Sequence, residues 1–535
     1  MLKIPKRILS HCNGENMAGL RRRTLNGQTS KEADIMNTMR IKWYCGTIVG
    51  ILLLIGMLQI SWVAAQETPQ EDTTTPMALV VEPIPSVTHG PISGEVHATS
   101  VVLWARGNTP GTLLFTLAEE PSLESPVNTA QVTVTEDADF TGKVQVDDLK
   151  PGTQYHYQVV LLTADERSAP VMGQFQTAPA AQTASELSFT FSAGIGGQGY
   201  CRKPETGWTI FKTMLAEHPD LFILLGDSVY VDSACPAPPN IPGAEGPYAE
   251  LEGFRTRYRY HLADQHYAAF LAQTPVYTTW DDHEILDNFS GTTLNKLHPQ
   301  LFADGLQAYL EYWPILGPEE EPQRIYRSFT YGAHAEFFVL DTRSYRDPIV
   351  NWDPNPRTLE PKTMLGADQF AWLQEGLAAS QATWKFIVTS VPLAYPTGWP
   401  QPEVDGRDGW ANYTEKSGYE TELMALLYFL ESHEIQNIIF LAGDTHWPFA
   451  ISYDPDRDGT PNLYEFGASP LSSIPLAPPK QLDPTFNPTI LYAEGEFQGD
   501  LFNFGHIRVA ESGEMTFRVV DWHGQERYAL TLQPH

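Results

Sequence analysis

LFILLGDSVY (residues 221–230) decides the fold. Leu221 to Leu225 form an apolar run without alternation, and it stops at Gly226 and Asp227. Such a run reads as a strand buried on both faces, as in sheets with parallel strands. The pattern returns twice. VYTTWDDHEILDN (276–288) closes on Asp281 and Asp282, and NIIFLAGDTHW (437–447) closes on Asp444. Ligands of open α/β sheets collect beyond the carboxyl ends of the strands. Carboxylates delivered there from three distant parts of a chain repel one another unless a cation offsets them. A metal centre on an α/β scaffold is therefore expected.

The surroundings of these runs alternate between strand and helix. SFTFSAG, AEFFVLD and KFIVTSV read as further strands. Helical patterns appear in TIFKTMLAEH (209–218), YHLADQHYAAFLAQ (260–273), DQFAWLQEGLAAS (368–380) and YETELMALLYFLESH (419–433). Alternation of this kind predicts a mainly parallel sheet covered on both faces. After residue 447 the pattern becomes one of antiparallel strands. Residues 187–535 thus read as one α/β domain.

Residues 77–178 carry only β signals. VVLWARG (101–107), GTLLFTLAE, TQYHYQVVLL and their neighbours are short strands between turns. LKPGTQYHYQV (149–159) has the spacing of a tyrosine corner, with Tyr155 as its tyrosine. Trp104 is a candidate core residue. An immunoglobulin or fibronectin III-like sandwich is expected, acting as a packing partner. PAAQTASE (179–186) joins it to the α/β region.

The N-terminus looks like an export leader. Residues 1–43 hold nine basic and three acidic residues, a net of +6 within a chain of net −31, so the remainder carries −37. So acidic a body makes a nucleic-acid-binding surface an excluded class. Basic residues precede an apolar stretch over 43–65 that ends in Val63-Ala64-Ala65, the small residues a signal peptidase needs. Residues 1–65 are expected to be a cleaved leader. An uncleaved membrane anchor through 43–65 is the alternative. Residues 66–76, QETPQEDTTTP, form a polar linker. The expected location is periplasmic or extracellular, and the expected state is monomeric.

WDDHE (280–284) is the most specific motif. Asp282 is a metal-ligand candidate, and His283 a proton donor oriented by Asp281 or Glu284. GDTHW (443–447) adds Asp444 and His446. FFVLDTRSYR (337–346) adds Asp341 and Arg343, either an oxyanion contact or a buried pair that pins strand to loop.

From 77 to 535 the chain resembles the PhoD-like alkaline phosphatase/phosphodiesterase family, with GDSVY, TWDDHE, VLDTRSYR and LAGDTH in the family order. The resemblance implies an N-terminal β domain and a metallophosphoesterase domain, a sandwich of sheets flanked by helices. It implies hydrolysis of phosphate esters through a metal-bound hydroxide, with His283 and Arg343 catalytic. Asp227, Tyr230, Asp282, Asp444 and His446 would hold metal. Tyr230 stands where the family places a tyrosinate for iron. A lipid or nucleotide phosphate ester, or another small one, is the implied substrate. A phospholipase-type phosphodiesterase and an impaired binding or adhesion module are the alternatives.

One position departs from the family. The strand in SFTFSAGIGGQGYCR (188–202) ends at Gly194, where relatives carry a cysteine ligand, and Cys201 falls seven residues later. The later strand end at Ser390 and Val391 also lacks a histidine. The Asp227, Asp282, Asp444 site is then oxygen-rich, which suits Ca²⁺, Mn²⁺ or Mg²⁺ better than Zn²⁺. Iron is the candidate for the Tyr230 site. Gly194→Cys is expected to tighten metal binding there. Cys201 and Cys235 follow the first two catalytic strands, so their loops should emerge side by side and allow a disulfide. Asp454 to Glu465 fits an EF-hand spacing, but strand-like flanks favour an acidic hairpin turn.

Overall fold

The computed structural model describes residues 84–235, 241–348, 360–397, 408–412 and 418–535. The leader, the apolar stretch over 43–65 and the 66–76 linker lie outside the described residues. Among the described residues no helix is long and apolar enough to cross a membrane.

Three sheets carry the fold. Strands are numbered in chain order. The largest sheet holds nine in the order β20 (Glu526–Leu532), β19 (Met515–Asp521), β18 (Asn503–Val509), β8 (Leu187–Ser192), β9 (Leu221–Leu224), β10 (Val276–Thr278), β1 (Val87–Gly94), β2 (Val101–Gly107) and β5 (Thr141–Val146). The second holds seven, β11 (Arg327–Tyr331), β12 (Ala335–Val339), β13 (Trp384–Thr389), β14 (Ile438–Ala442), β16 (Leu463–Gly467), β15 (Phe449–Tyr453) and β17 (Pro488–Ala493). The third has β4 (Asn128–Val134), β3 (Gly111–Ala118), β6 (Gln154–Leu162) and β7 (Val171–Gln176).

In place of the one mainly parallel sheet expected from the alternation stand two mixed sheets packed face to face, the sandwich of sheets that the resemblance implied. Each keeps a parallel centre. In the first, β8, β9, β10 and β1 run parallel, and in the second β12, β13, β14 and β16 do. Antiparallel strands are added at the edges. Between the sheets, the Phe189 ring meets Phe337 and Phe386 edge-on, with centroids 5.2 Å apart in both pairs. Successive residues on a strand face opposite sides, so Phe338 and Ile387 turn outward. They pack on α6 (Gly366–Ala379) and α7 (Glu420–Ser432) through Leu373, Leu377, Leu423 and Leu426. The outer face of the first sheet packs on α1 (Ile210–Ala216), α2 (Leu251–Leu262), α3 (Gln265–Leu271), α4 (Gly291–Leu297) and α5 (Pro299–Tyr312).

Two local departures have clear causes. The single helix expected over 260–273 is broken at Asp264. That residue has extended backbone, and its carboxylate caps α3 by accepting from the His266 and Tyr267 N–H groups. The N-terminal β region is also not closed on itself. Its strands β1, β2 and β5 continue the catalytic sheet, because Gly94 pairs with Val276 on β10. Trp104 is buried as expected, but on the helical side of that sheet, where its indole N–H donates to the Glu311 carbonyl at 2.7 Å. Tyr155 does form its corner, since its hydroxyl accepts from the Lys150 N–H at 2.9 Å.

Candidate metal centre and active site

The two parallel centres end at the same place. Asp227 follows the end of β9 by three residues, Asp282 follows β10, and Asp444 follows β14. The Ser390 hydroxyl beyond β13 donates to Asp281 Oδ1 at 2.8 Å and so ties the two sheet ends together. Such close approach needs Gly226, whose φ is +104°, because a Cβ there would lie 2.4 Å from Asp281 Cβ. Asp227, Asp444 and His446 adopt left-handed backbone with φ of 50°, 59° and 61°. Left-handed non-glycine residues store strain and cluster at functional sites.

Glu284 fastens the Asp227 turn. Its carboxylate accepts from the Asp227 N–H at 3.2 Å and from the Ser228 N–H and hydroxyl, both at 2.6 Å. Burial and then the Asp227 charge push its pKa up to about 7. Neither Glu284 nor Asp281 orients His283, contrary to expectation. That role falls to Asp232, whose two carboxylate oxygens each lie 2.9 Å from His283 Nδ1. His283 Nε2 points the other way, 3.3 Å from the Gln198 amide nitrogen. Burial opposes the imidazolium, but Asp232, Asp282 and Asp227 prevail and hold the pKa well above 6.5.

Asp227 is the hub. The Tyr230 hydroxyl donates to Asp227 Oδ2 at 2.8 Å and lies 3.0 Å from His446 Nε2. The other His446 nitrogen meets the Ile474 carbonyl at 2.6 Å, which sets the ring orientation. Asp227, Asp282 and His283 offer ligand atoms within 4.8 Å of one another, and so do Asp281, Asp282 and Asp444. All seven expected site residues are thus near one centre, but Arg343 is turned away from solvent. Its guanidinium is fully buried, donating to Asp281 at 2.6 Å and to both oxygens of Asp408 at 2.9 and 2.5 Å. Asp341 accepts from the Trp280 indole and from the Arg343 and Ser344 N–H groups. The FFVLDTRSYR motif therefore pins strand to loop, because a guanidinium committed to two buried carboxylates has no free edge for an oxyanion.

The residues fit cations. Asp227 Oδ1, Asp282 Oδ1 and Asp444 Oδ2 are buried acceptors without a hydrogen-bond donor. Burial and neighbouring carboxylates push Asp281 and Asp444 well above the usual range. A positive charge at the centre of the cluster relieves both conditions.

Asp232 and Asp408 were not found in the sequence. Asp232 lies five residues after Asp227 and carried a signal by proximity alone. Asp408 sits in a Gly-rich stretch with no pattern around it. The EF-hand spacing does not form one site. Asp454, Asp456 and Asp458 cluster in the β15–β16 hairpin, where they accept from the backbone N–H groups of Asp458, Gly459 and Thr460. Glu465 is buried on β16 and accepts instead from the Leu393 N–H and the Tyr453 hydroxyl. Cys201 and Cys235 form a disulfide.

The family model described as PhoD-like phosphatase matches residues 189–518, and that of the PhoD-like phosphatase N-terminal domain matches residues 78–179. Alkaline phosphatase D of Bacillus subtilis (strain 168) is 28% identical over 412 residues, which is 71% of this chain and 68% of that protein. A solved structure described as PhoD superposes with a TM-score of 0.64 at 22% identity, covering 84% of this chain and 94% of that one. A purple acid phosphatase from yellow lupin (Lupinus luteus) seeds gives a TM-score of 0.57 at 12% identity, covering 84% and 74%. Those two likenesses concern the fold.

Proposed function

The chain belongs to the PhoD-like phosphatase family and is a phosphoric ester hydrolase, and from that premise we propose that it is an exported, metal-dependent phosphatase or phosphodiesterase. One observation carries the reading: Asp227, Asp282 and Asp444 converge at strand ends with buried oxygens that lack donors. Asp227, Asp282 and Asp444 would hold one cation, and Asp227, Tyr230 and His446 the other. The first set is all oxygen and suits Ca²⁺, Mn²⁺ or Mg²⁺. Burial and Asp227 push the Tyr230 phenol well above 10, so its ionisation calls for a strong Lewis acid such as ferric iron. Cations held there would lower the pKa of a bound water and offset the charge of a phosphoryl group.

The remaining work belongs to the protein. His283 holds a proton on Nε2 and gives it to the departing alkoxide. Asp232 is its positioning residue, fixing the ring through Nδ1. Glu284 holds the strained Asp227 turn. Arg343 acts at one remove, keeping Asp281 and Asp282 in place. The N-terminal β region is assigned as an immunoglobulin or fibronectin III-like sandwich that packs as a partner.

Metal analysis of the purified protein, combined with monoester and diester hydrolysis assays, tests the reading. Bound metal with hydrolysis of either ester class is expected. Metal without turnover of any phosphate ester would favour the binding-module alternative, and turnover confined to phospholipids the lipase-type one. Signal-peptide cleavage and secretion are checked by N-terminal sequencing of the mature protein.

A further inference from the structure

Strands β8, β9 and β10 are adjacent and parallel. Two of them end in carboxylates, and β8 ends in Gly194. A Cβ on Gly194 would lie 3.4 Å from the Tyr230 hydroxyl, so this strand end faces the Tyr230, His446, Asp227 cluster. The same Cβ would lie 2.7 Å from Ser473 Oγ. The space beside the glycine is already filled by a hydroxyl from another part of the chain.

Ser473 is fully buried, and its Oγ has no hydrogen-bond partner. An unpartnered buried hydroxyl is costly unless something meets it. The segment carrying it is held firmly on two sides. The Ser472 and Ser473 N–H groups donate to the Gly194 carbonyl at 2.9 and 3.1 Å, and the Gly196 N–H donates to Ser472 Oγ at 2.9 Å. Three residues on, the Leu476 N–H donates to the His446 carbonyl at 2.9 Å. Ser473 is thus clamped between the end of β8 and the His446 turn.

On the metal-dependent reading above, we propose that Ser473 Oγ is a donor to the cation of the Tyr230 site, taking the place that β8 leaves empty of a side chain. The protein set there is then Asp227, Tyr230, His446 and Ser473. On this reading Gly194→Cys is not expected to tighten the site, because φ at this position is +76° and its Cβ would lie 2.7 Å from Ser473 Oγ. The repair position is Ser473 itself.

The test uses the full chain titrated with Co²⁺, whose thiolate complexes absorb strongly in the near ultraviolet. Ser473→Cys should show a thiolate-to-cobalt band that wild type lacks. Ser473→Ala should lose about ten-fold or more in affinity at one of the two sites, comparable to or above the loss from removing a supporting residue, with the other site unchanged. Wild-type affinity at both sites in Ser473→Ala, or bound Co²⁺ without a thiolate band in Ser473→Cys, overturns the assignment while leaving the metal-dependent reading intact. A wild-type protein that takes up no Co²⁺, Mn²⁺ or Ca²⁺ overturns both.

Discussion

Asp282 and His283 are neighbours in the chain with separate tasks. Asp282→Ala should lose most activity together with bound metal. His283→Ala should retain metal and slow alkyl ester hydrolysis by roughly 10²–10⁴-fold, the usual worth of a general acid. The defect should shrink for nitrophenyl esters, whose leaving group needs less protonation. Equal slowing of both ester types would remove His283 from the acid role. Asp232→Asn should move the alkaline limb of the rate profile to lower pH, since losing that carboxylate lets burial draw the imidazole pKa down. Arg343 belongs to the same scale with a different fate. Its side chain is fully buried between Asp281 and Asp408. Arg343→Met should therefore destabilise by about 3–5 kcal/mol, because Asp281 is left buried without a countercharge and Asp408 keeps only Arg346. Urea unfolding reads this. A raised KM with unchanged stability would return Arg343 to substrate binding. The motif was legible from residue types, but its orientation was not, because an Arg beside an Asp has the same spelling in a binding site and in a buried pair.

Strand β16 shows how an element overrides a motif. Glu465 fills the last position of an EF-hand spacing, yet it is buried on a strand and its pKa is raised by burial from 4.5 to about 7. A raised folded-state pKa means that the neutral carboxyl is the stable form inside. Its contribution is complete below about pH 4.5 and is lost as pH climbs through about 7. Glu465→Gln keeps a neutral hydrogen-bonding group and should flatten the fall in stability between pH 5 and pH 8.5. The gain over wild type at pH 8.5 is at most about 3 kcal/mol. Urea midpoints at the two pH values check it, and equal losses in both proteins would exclude Glu465 as the titrating group. The helix over 260–273 is a parallel case. Its apolar spacing runs unbroken through Asp264, and the cap there becomes visible only once the chain is seen to turn.

At the scale of the molecule, the Cys201–Cys235 bond joins the loops that follow β8 and β9 and closes a separation of 34 residues. Replacing both cysteines by serine should cost about 3–4 kcal/mol by loop-closure entropy, less if the reduced chain stays compact. Thiol titration of the unfolded, unreduced protein should find neither of these thiols free. Two reactive thiols from the 201–235 pair would rule the bond out. The sequence by itself determined the strand ends that carry Asp227, Asp282 and Asp444, the disulfide partners and the family, because apolar runs and turn residues are local signals written in order. Only the tertiary structure decided that β1, β2 and β5 extend the catalytic sheet, that Asp232 rather than Asp281 or Glu284 orients His283, that Arg343 faces inward, and that Ser473 stands beside Gly194. Each of those depends on which side chains meet across tens to hundreds of residues, and chain order does not encode such distances until the core has packed.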